Sequence, residues 1–396
     1  MKRRLAQLPL HTGKAPPWLF KRMTKLAGAV TMAIVEEFGP AEMLRRLSDP
    51  WWFQAFGCVL GFDWHSSGVT TVTCGALKEA AKEYGKDLGI IVAGGKGATS
   101  RKTPQEIADA ASRYAITNGE RLIHASRMSA KVDSAAVQDG FGIYHHSFFF
   151  TPEGQWCVVQ QGMNEQLGWA RRYHWLAESV EDFVCEPHAA VEDMAETSPG
   201  NEQDGKRQLM LLNMVAEEAE DNRRGSAALI RESPDWLLGE IERLTEGPTL
   251  FAPARHPVLS LDVNQKRLQG ILRDAHEHNP QDFETLLGLE GVGPATVRSL
   301  SLLAEIIFQA PPARRDPTKR RNLAHDARPE MPDNRDGRRW ADYSHAHGGK
   351  DGTPFPVDRA TYDRNIVVLT DAVRRARLGE SDKLDALRRL ARITPT

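Results

Sequence analysis

Residues 287–303 read LGLEGVGPATVRSLSLL, and this stretch decides the fold of the C-terminal part of the chain. An apolar run over residues 283–289 leads into two glycines that stand one residue apart, at 291 and 293. Apolar residues then return at helical spacing over residues 297–307. Glycines allow a tight turn because they carry no Cβ. The pattern predicts two helices joined by a glycine turn, residues 289–293.

The predicted glycine turn offers backbone N–H groups that could bind a phosphate. The first amides of a helix have no acceptor within that helix, so they are available to an anion. The stretch resembles the helix-hairpin-helix motif, which clamps the DNA backbone in glycosylases, ligases and nucleases. The alternative is an ordinary turn between two helices. The residues to which the resemblance assigns DNA binding are Gly291, Val292, Gly293, Ala295 and Thr296.

Composition limits the ways in which the chain could attract a nucleic acid. The 396 residues include 51 basic and 53 acidic side chains, so the net charge is close to zero. Affinity for DNA must therefore come from local patches. The four cysteines are scattered without the spacing of a zinc finger, which favours reduced thiols. No apolar stretch is long enough to span a membrane, and we expect a cytoplasmic protein.

The N-terminal part has the pattern of a mixed α/β domain over residues 1–185. An apolar run at 88–93 predicts a buried strand, and glycines at 94, 95 and 97 follow it. Thr103 and Glu106 then have the spacing of a capping box around a proline at the first helical position. Strand, glycine loop and capped helix indicate an α/β unit. Residues 144–151 and 156–161 predict a β-hairpin.

The remainder of the chain is predicted to be a linker and an all-α domain. Residues 186–206 are acidic and poor in large apolar groups, which is typical of a linker. Residues 207–396 follow helical spacing almost to the end and contain the glycine turn. Within them, residues 311–340 are rich in Arg, Pro and Asp, and we expect a disordered insertion. The predicted fold is thus α+β or α/β, with an all-α helix-hairpin-helix domain second.

A second feature of the C-terminal part is the segment Phe355-Pro356-Val357-Asp358. It resembles a segment that follows the hairpin in the helix-hairpin-helix DNA glycosylase superfamily, and that resemblance implies a catalytic role for Asp358. The chain departs from the family, since Ala295 stands where bifunctional members carry a lysine. An aspartate at a helix start is also a good N-cap, so capping is the alternative.

The N-terminal part gathers carboxylates and imidazoles that could hold a metal ion. Asp63 and His65 stand two residues apart, as two ligands on one face of an extended chain would. Asp133 and Asp139 complete a predicted Mg²⁺ or Mn²⁺ site for phosphodiester hydrolysis. The remaining predicted catalytic residues are Lys131, His145, Gln161 and Asp358. Each of these side chains could instead be a satisfied polar group of the core.

Basic residues near the same segments could stabilise phosphate charge. Lys96 lies within a glycine-rich loop, and Arg171 and Arg172 precede an aromatic segment. Lys96 stands inside the glycines rather than after a Gly-x-x-x-x-Gly pattern, so no nucleotide cofactor is expected. We therefore predict that Lys96, Arg171 and Arg172 bind DNA.

Several longer motifs resemble one family across nearly the whole chain. They are HTGKAPPWL at residues 11–19, GFDWHSSG at 61–68, ARRYHW at 170–175 and HGGKDGTPFPVD at 347–358. Together they look like a bacterial and archaeal family that is catalogued as a domain of unknown function. The resemblance implies a family and no activity.

The combined prediction is a DNA-processing protein of repair or genome defence, with a metal-dependent nuclease as the preferred form. Two alternatives remain at this point. One is a monofunctional DNA glycosylase that uses Asp358. The other is a non-catalytic DNA-binding adaptor for a helicase or nuclease. Besides DNA, the expected partner is a helicase or other repair protein.

Overall fold

A computed structural model of the protein describes residues 5–10, 15–62, 66–187, 211–245 and 265–314. These residues divide into two compact units. The sheet unit contains residues 5–126 and 144–177, and the helical unit contains residues 127–143 and 178–314, each within the described ranges. Both units combine segments that are distant in sequence. The predicted boundaries at 185 and 207 stay predictions.

The helices of the sheet unit begin at residues that favour helix starts. Three of the first five have proline at their first position, and one more has proline at its second, where the missing N–H costs nothing. They are α1 (Pro17–Phe38), α2 (Pro40–Leu47), α3 (Pro50–Val59), α4 (Gly68–Tyr84) and α5 (Thr103–Tyr114). Helix α6 (Gly119–Lys131) begins in this unit and ends in the helical unit.

The sheet is antiparallel, so the α/β alternative for its architecture is wrong and the protein is α+β. Its strands are β1 (Leu5–Pro9), β2 (Ile91–Lys96), β4 (Gly142–Phe150), β5 (Trp156–Asn164) and β6 (Trp169–Leu176). The strand order is β1-β6-β5-β4-β2. A parallel sheet would need crossover connections, whereas here β4 and β5 are joined by a short turn in which the amide of Thr151 donates to Gln155 O.

Both faces of the sheet are buried at its centre. Consecutive residues 145–150 of β4 are all buried, although they alternate between the two faces. On one face, Phe149 and Val159 belong to the same apolar cluster as Leu26 and Leu77 of α1 and α4. Polar side chains on these strands therefore lie inside the protein, and this location decides what they can do.

The predicted capping box at the start of α5 is wrong. The Thr103 hydroxyl donates to Ser100 O at 2.6 Å, so it belongs to the preceding 3₁₀ turn. Glu106 instead accepts hydrogen bonds from Lys78 Nζ and from the amide of Gly94. The glutamate joins α4, β2 and α5, a tertiary role that outweighs the local capping pattern.

The helical unit is mostly helical but also contains a short β-ribbon. Strand β3 (Val137–Gln138) pairs antiparallel with β7 (Leu212–Asn213), so the described C-terminal residues are not purely α. A π-helical segment, Val132–Ala136, connects α6 to β3. The helices are α7 (Glu220–Leu229), α8 (Pro234–Thr245), α9 (Gln265–His278), α10 (Phe283–Gly288) and α11 (Pro294–Phe308).

The four cysteines form no disulfide, as the sequence predicts. Cys58, Cys74 and Cys157 are buried, and Cys185 is partly exposed. Among the helices that the structure describes, none combines the length and the apolar character that crossing a bilayer requires.

Candidate nucleic-acid interface

The glycine turn joins α10 to α11, as the sequence predicts. Asp282 caps α10 by accepting a hydrogen bond from the amide of Thr285 at 2.7 Å. Gly291 is exposed and has a φ of +81°, in the region that side chains other than glycine rarely adopt. A Cβ there would lie 2.8 Å from Ile271 Cγ1 of α9. Both the backbone conformation and the close approach of α9 therefore require glycine at position 291.

Gly293 has a different role in the turn. Its φ of −139° is an ordinary extended conformation, and the nearest atom to a Cβ built there would be Gly291 O at 3.8 Å. A small side chain would fit. The residue is the N-cap of α11, and Pro294 follows at the first helical position.

The amides at the start of α11 are available to a ligand. Among the described residues, none accepts a hydrogen bond from the amides of Glu290, Gly293, Ala295 or Thr296. Thr296 and Val292 are themselves buried, whereas Gly291 is exposed and Gly293 and Ala295 are partly exposed. The donors thus lie at an accessible helix start, where the helix dipole favours an anion.

Two side chains from residues 131–138 hold the carbonyl groups of the turn. Lys131 Nζ donates to Leu289 O at 2.7 Å and to Val292 O at 2.6 Å. Gln138 Nε2 donates to Pro294 O at 2.9 Å, and Gln138 Oε1 accepts from Arg298 Nε at 2.9 Å. All of these residues belong to the helical unit.

Lys131, a predicted catalytic residue, lies at the glycine turn. Its ammonium group is bound to two carbonyl groups beneath the turn, in a part-buried position. Burial lowers the pKa of Lys131, and the nearby Glu290 carboxylate acts in the opposite direction. The lysine thus holds two carbonyl groups of the turn, and its catalytic role stays a prediction.

The carboxylates of the predicted metal site are described only in part. Asp133 lies in the π-helical segment and is fully buried, and Asp139 is 5% exposed and accepts from the amide of Phe141. Asp63, His65 and Asp358 lie outside the described residues. Within the described ranges, no group of three His, Cys, Asp or Glu side chains could hold a metal ion. The Mg²⁺ or Mn²⁺ site stays a prediction.

His145, a predicted catalytic residue, is buried in the sheet unit. Its Nε2 lies 3.0 Å from Ser147 Oγ, and its Nδ1 has no hydrogen-bond partner among the residues that the structure describes. Burial, together with His146 and Lys96, lowers the pKa of His145 to about 3. The imidazole is therefore neutral in the folded protein at any ordinary pH.

The buried state of His145 predicts a loss of stability in mild acid. Because its pKa is lower in the folded protein than the usual 6.5, the unfolded chain takes up the proton first as the pH falls. Between pH 8 and pH 5 this linkage removes about 2 kcal/mol from the free energy of unfolding. We expect His145→Gln to weaken this pH dependence in urea titrations, and the exposed-site control His124→Gln to leave it unchanged. Equal slopes for His145→Gln and wild type would contradict the expectation.

Gln161 is predicted to be catalytic, and Arg172 is predicted to bind DNA. In the structure both side chains belong to a buried hydrogen-bond network. Gln161 contacts the hydroxyl groups of Thr70 and Tyr144 and donates to Ser67 O at 2.9 Å. Gln161 and Arg172 lie directly opposite each other on β5 and β6.

Arg172 is a buried cation with neutral partners. Its Nε donates to His174 Nε2 at 2.8 Å, and its terminal nitrogens donate to Gln54 Oε1 and to Pro50 O, each at 3.2 Å. The guanidinium carbon lies 4.6 Å from the centre of the Phe53 ring. Among the described residues, no carboxylate forms an ion pair with it. Burial lowers the pKa of Arg172 to about 9.

The prediction that Arg171 and Arg172 bind DNA is therefore wrong for this structure. Both side chains are 0% exposed, so neither can reach a DNA backbone. Lys96, by contrast, is exposed at the end of β2, with its ammonium group 5.8 Å from the centre of the Tyr144 ring. Arg101 and Lys102 are exposed in the 3₁₀ turn that follows.

Two residues that shape the glycine turn, Gln138 and Ile271, were not predicted from the sequence. Gln138 holds Pro294 O across 156 positions, and Ile271 lies against Gly291. No local pattern marks either residue. A pairing of residues 131–138 with the glycine turn could only have been found from their contact in space.

The fold and the interface define a mixed α+β protein with an exposed glycine turn at a helix start. The profile of the family described as "Protein of unknown function (DUF763)" matches residues 4–357, and the chain belongs to that family. No curated protein and no solved structure matches the chain.

Proposed function

We propose that the protein binds the DNA backbone through its glycine turn, in the manner of a helix-hairpin-helix motif. The observation that carries the proposal is a set of amides, those of Glu290, Gly293 and Ala295, that bond to no acceptor in the described part of the chain. They lie on an exposed turn before a 15-residue helix. Backbone amides read phosphates and not bases, so the binding is independent of sequence.

The charge around the turn supports a modest local attraction for phosphate. Helix α9 lies beside Gly291 through Ile271, and it carries the exposed side chains of Lys266 and Arg267. Arg267 stands one helical turn before Ile271 and thus on the same face. Since the net charge of the chain is −2, this local basic surface and the amides must supply the affinity.

The proposal extends to a DNA-processing role in repair or genome defence, with metal-dependent nuclease activity as the favoured form. A divalent ion, Mg²⁺ or Mn²⁺, would supply a polarised phosphate and an activated water. The proposal also includes an N-terminal catalytic domain followed by a mostly helical DNA-binding domain, a cytoplasmic location and a helicase or repair protein as partner. A glycosylase that uses Asp358 and a non-catalytic adaptor are the alternatives.

One experiment separates these activities. The full chain is incubated with labelled duplex and single-stranded DNA, with Mg²⁺, with Mn²⁺ or with a chelator. Cleavage that requires the metal supports the nuclease, and base release from damaged DNA supports the glycosylase. Binding without either reaction supports the adaptor. Absence of binding at low salt would overturn the proposed function as a whole.

Glu290 provides a test of the electrostatics of the turn. Glu290 is exposed and directly precedes Gly291. Its negative carboxylate would therefore repel a phosphate bound at the turn. We expect Glu290→Gln to raise the affinity for DNA about two- to fivefold at low salt, with a smaller gain at high salt because ions screen exposed charges. The measurement is a fluorescence anisotropy titration, with the exposed Glu277→Gln of α9 as a control for net charge. An unchanged affinity for Glu290→Gln would place the phosphate elsewhere.

A further inference from the structure

The hydrogen bonds between Lys131 and the glycine turn determine the direction in which the amides of the turn point. The lysine is the last residue of α6, and its Nζ contacts two carbonyl oxygens, those of Leu289 and Val292. These carbonyl groups are three residues apart and both point towards one ammonium group. A single cation thus determines the orientation of two peptide planes.

A trans peptide is planar, and its N–H points away from its C=O. Because Leu289 O and Val292 O point towards Lys131, the amides of Glu290 and Gly293 point away from it. Gln138 acts in the same way on the next peptide, since it binds Pro294 O and leaves the amide of Ala295 directed away. Residues 131–138 therefore hold three peptide groups from one side and direct their donors to the other.

We propose that Lys131 and Gln138 are positioning residues that orient the amides of the glycine turn towards one phosphate of the DNA backbone. This inference rests on the proposed function. The side chain of Lys131 does not contact the phosphate, because two of its three donors are bound to carbonyl oxygens on the opposite side of the turn.

The inference predicts an effect on affinity that does not depend on salt. A lysine that contacts phosphate releases a counterion on binding. Its loss therefore makes the negative slope of log affinity against log salt shallower by about 0.9. A positioning lysine has no such effect. We expect Lys131→Met, which keeps the apolar stem, to weaken DNA binding about tenfold with the salt slope unchanged. The control Lys266→Met removes an exposed lysine of α9 in the same unit, and we expect a smaller loss.

The experiment is an anisotropy titration of wild type, Lys131→Met and Lys266→Met on one duplex at several salt concentrations. Lys131→Arg is the second variant, since a guanidinium can donate to both carbonyl oxygens, and we expect it to restore most of the affinity. If Lys131→Met does not fold, the affinity of Gln138→Leu, which removes the donor to Pro294 O, still tests the inference. A salt dependence weakened by about 0.9 in Lys131→Met, or an unchanged affinity in Lys131→Met or in Gln138→Leu, would overturn it.

Glycine resonances distinguish a failure of this inference from a failure of the proposed function. With ¹⁵N-labelled glycine, the amide signals of Gly291 and Gly293 report the turn in the absence of DNA. We expect both signals to shift or broaden in Lys131→Met and to stay in place in Lys266→Met. If the wild type binds no DNA, the proposed function fails, and the inference about phosphate fails with it. If the wild type binds but the glycine signals do not change in Lys131→Met, only the positioning role is overturned.

Discussion

Gly291→Val is expected to weaken binding of duplex DNA at least about thirtyfold. Valine at a φ of +81° is strained because its branched Cβ crowds the backbone. The same Cβ would lie 2.8 Å from Ile271 Cγ1, so the turn or α9 must move. Either movement separates the amides of Glu290 and Gly293 from a common phosphate, and the loss of two such charge-assisted hydrogen bonds corresponds to about 2 kcal/mol or more. The measurement is anisotropy at low salt.

The matched control is Gly293→Ala, two residues further along the same turn. Its backbone is extended and its new Cβ would meet no atom closer than 3.8 Å, so we expect a change of less than about threefold. Circular dichroism and thermal unfolding establish that both variants are folded. Gly291→Ala is an additional variant, in which the backbone strain is smaller than with valine. Equal affinities for Gly291→Val and Gly293→Ala would contradict the assignment of the turn as the phosphate site.

Arg172→Met is expected to lower the free energy of unfolding by about 3 to 5 kcal/mol, the largest stability effect that we predict. Methionine replaces the stem of the arginine but leaves Gln54 Oε1, Pro50 O and His174 Nε2 without a donor in a buried site. Each unsatisfied acceptor costs about 1 to 3 kcal/mol, and removing the desolvated charge offsets part of that cost. Urea unfolding at neutral pH measures the difference.

The control for this prediction is Arg121→Met on the exposed surface of α6, for which we expect a change within about 0.5 kcal/mol. DNA binding by Arg172→Met at a temperature where it remains folded should match wild type, because the side chain is 0% exposed. Unaltered stability, or a specific loss of DNA affinity in the folded variant, would restore Arg172 to the list of DNA contacts.

Local patterns predicted the elements that carry the candidate interface. The spacing of apolar residues on either side of 291–293 predicted α10 and α11, and the β-hairpin around residue 153 was confirmed as β4 and β5. Gly291 could be singled out because a turn of this kind leaves no room for a Cβ. The helices and turns among these features depend on residues within about four positions of one another, which is the range that helix and turn hydrogen bonds cover.

Local patterns failed where a side chain has a distant partner. Glu106 matched a capping box but binds Lys78 and the amide of Gly94, since a tertiary ion pair with an added hydrogen bond is stronger than a cap. His145 was predicted to be catalytic and Arg172 to bind DNA, because polar residues in an otherwise aromatic strand are often functional. Both side chains are buried because the sheet is covered on both faces. A local sequence pattern does not show whether one or both faces of a sheet are covered.

The sequence by itself determined the glycine turn, the helices that flank it and the membership of residues 4–357 in one family. Tertiary structure alone decided which donors of that turn face outward, because Lys131 and Gln138 contact it from 158 and 156 positions away. Periodicity along the chain encodes local hydrogen bonds and one buried face per element. Which side chain meets which carbonyl across the fold depends on how the elements pack, and no spacing in the sequence records it.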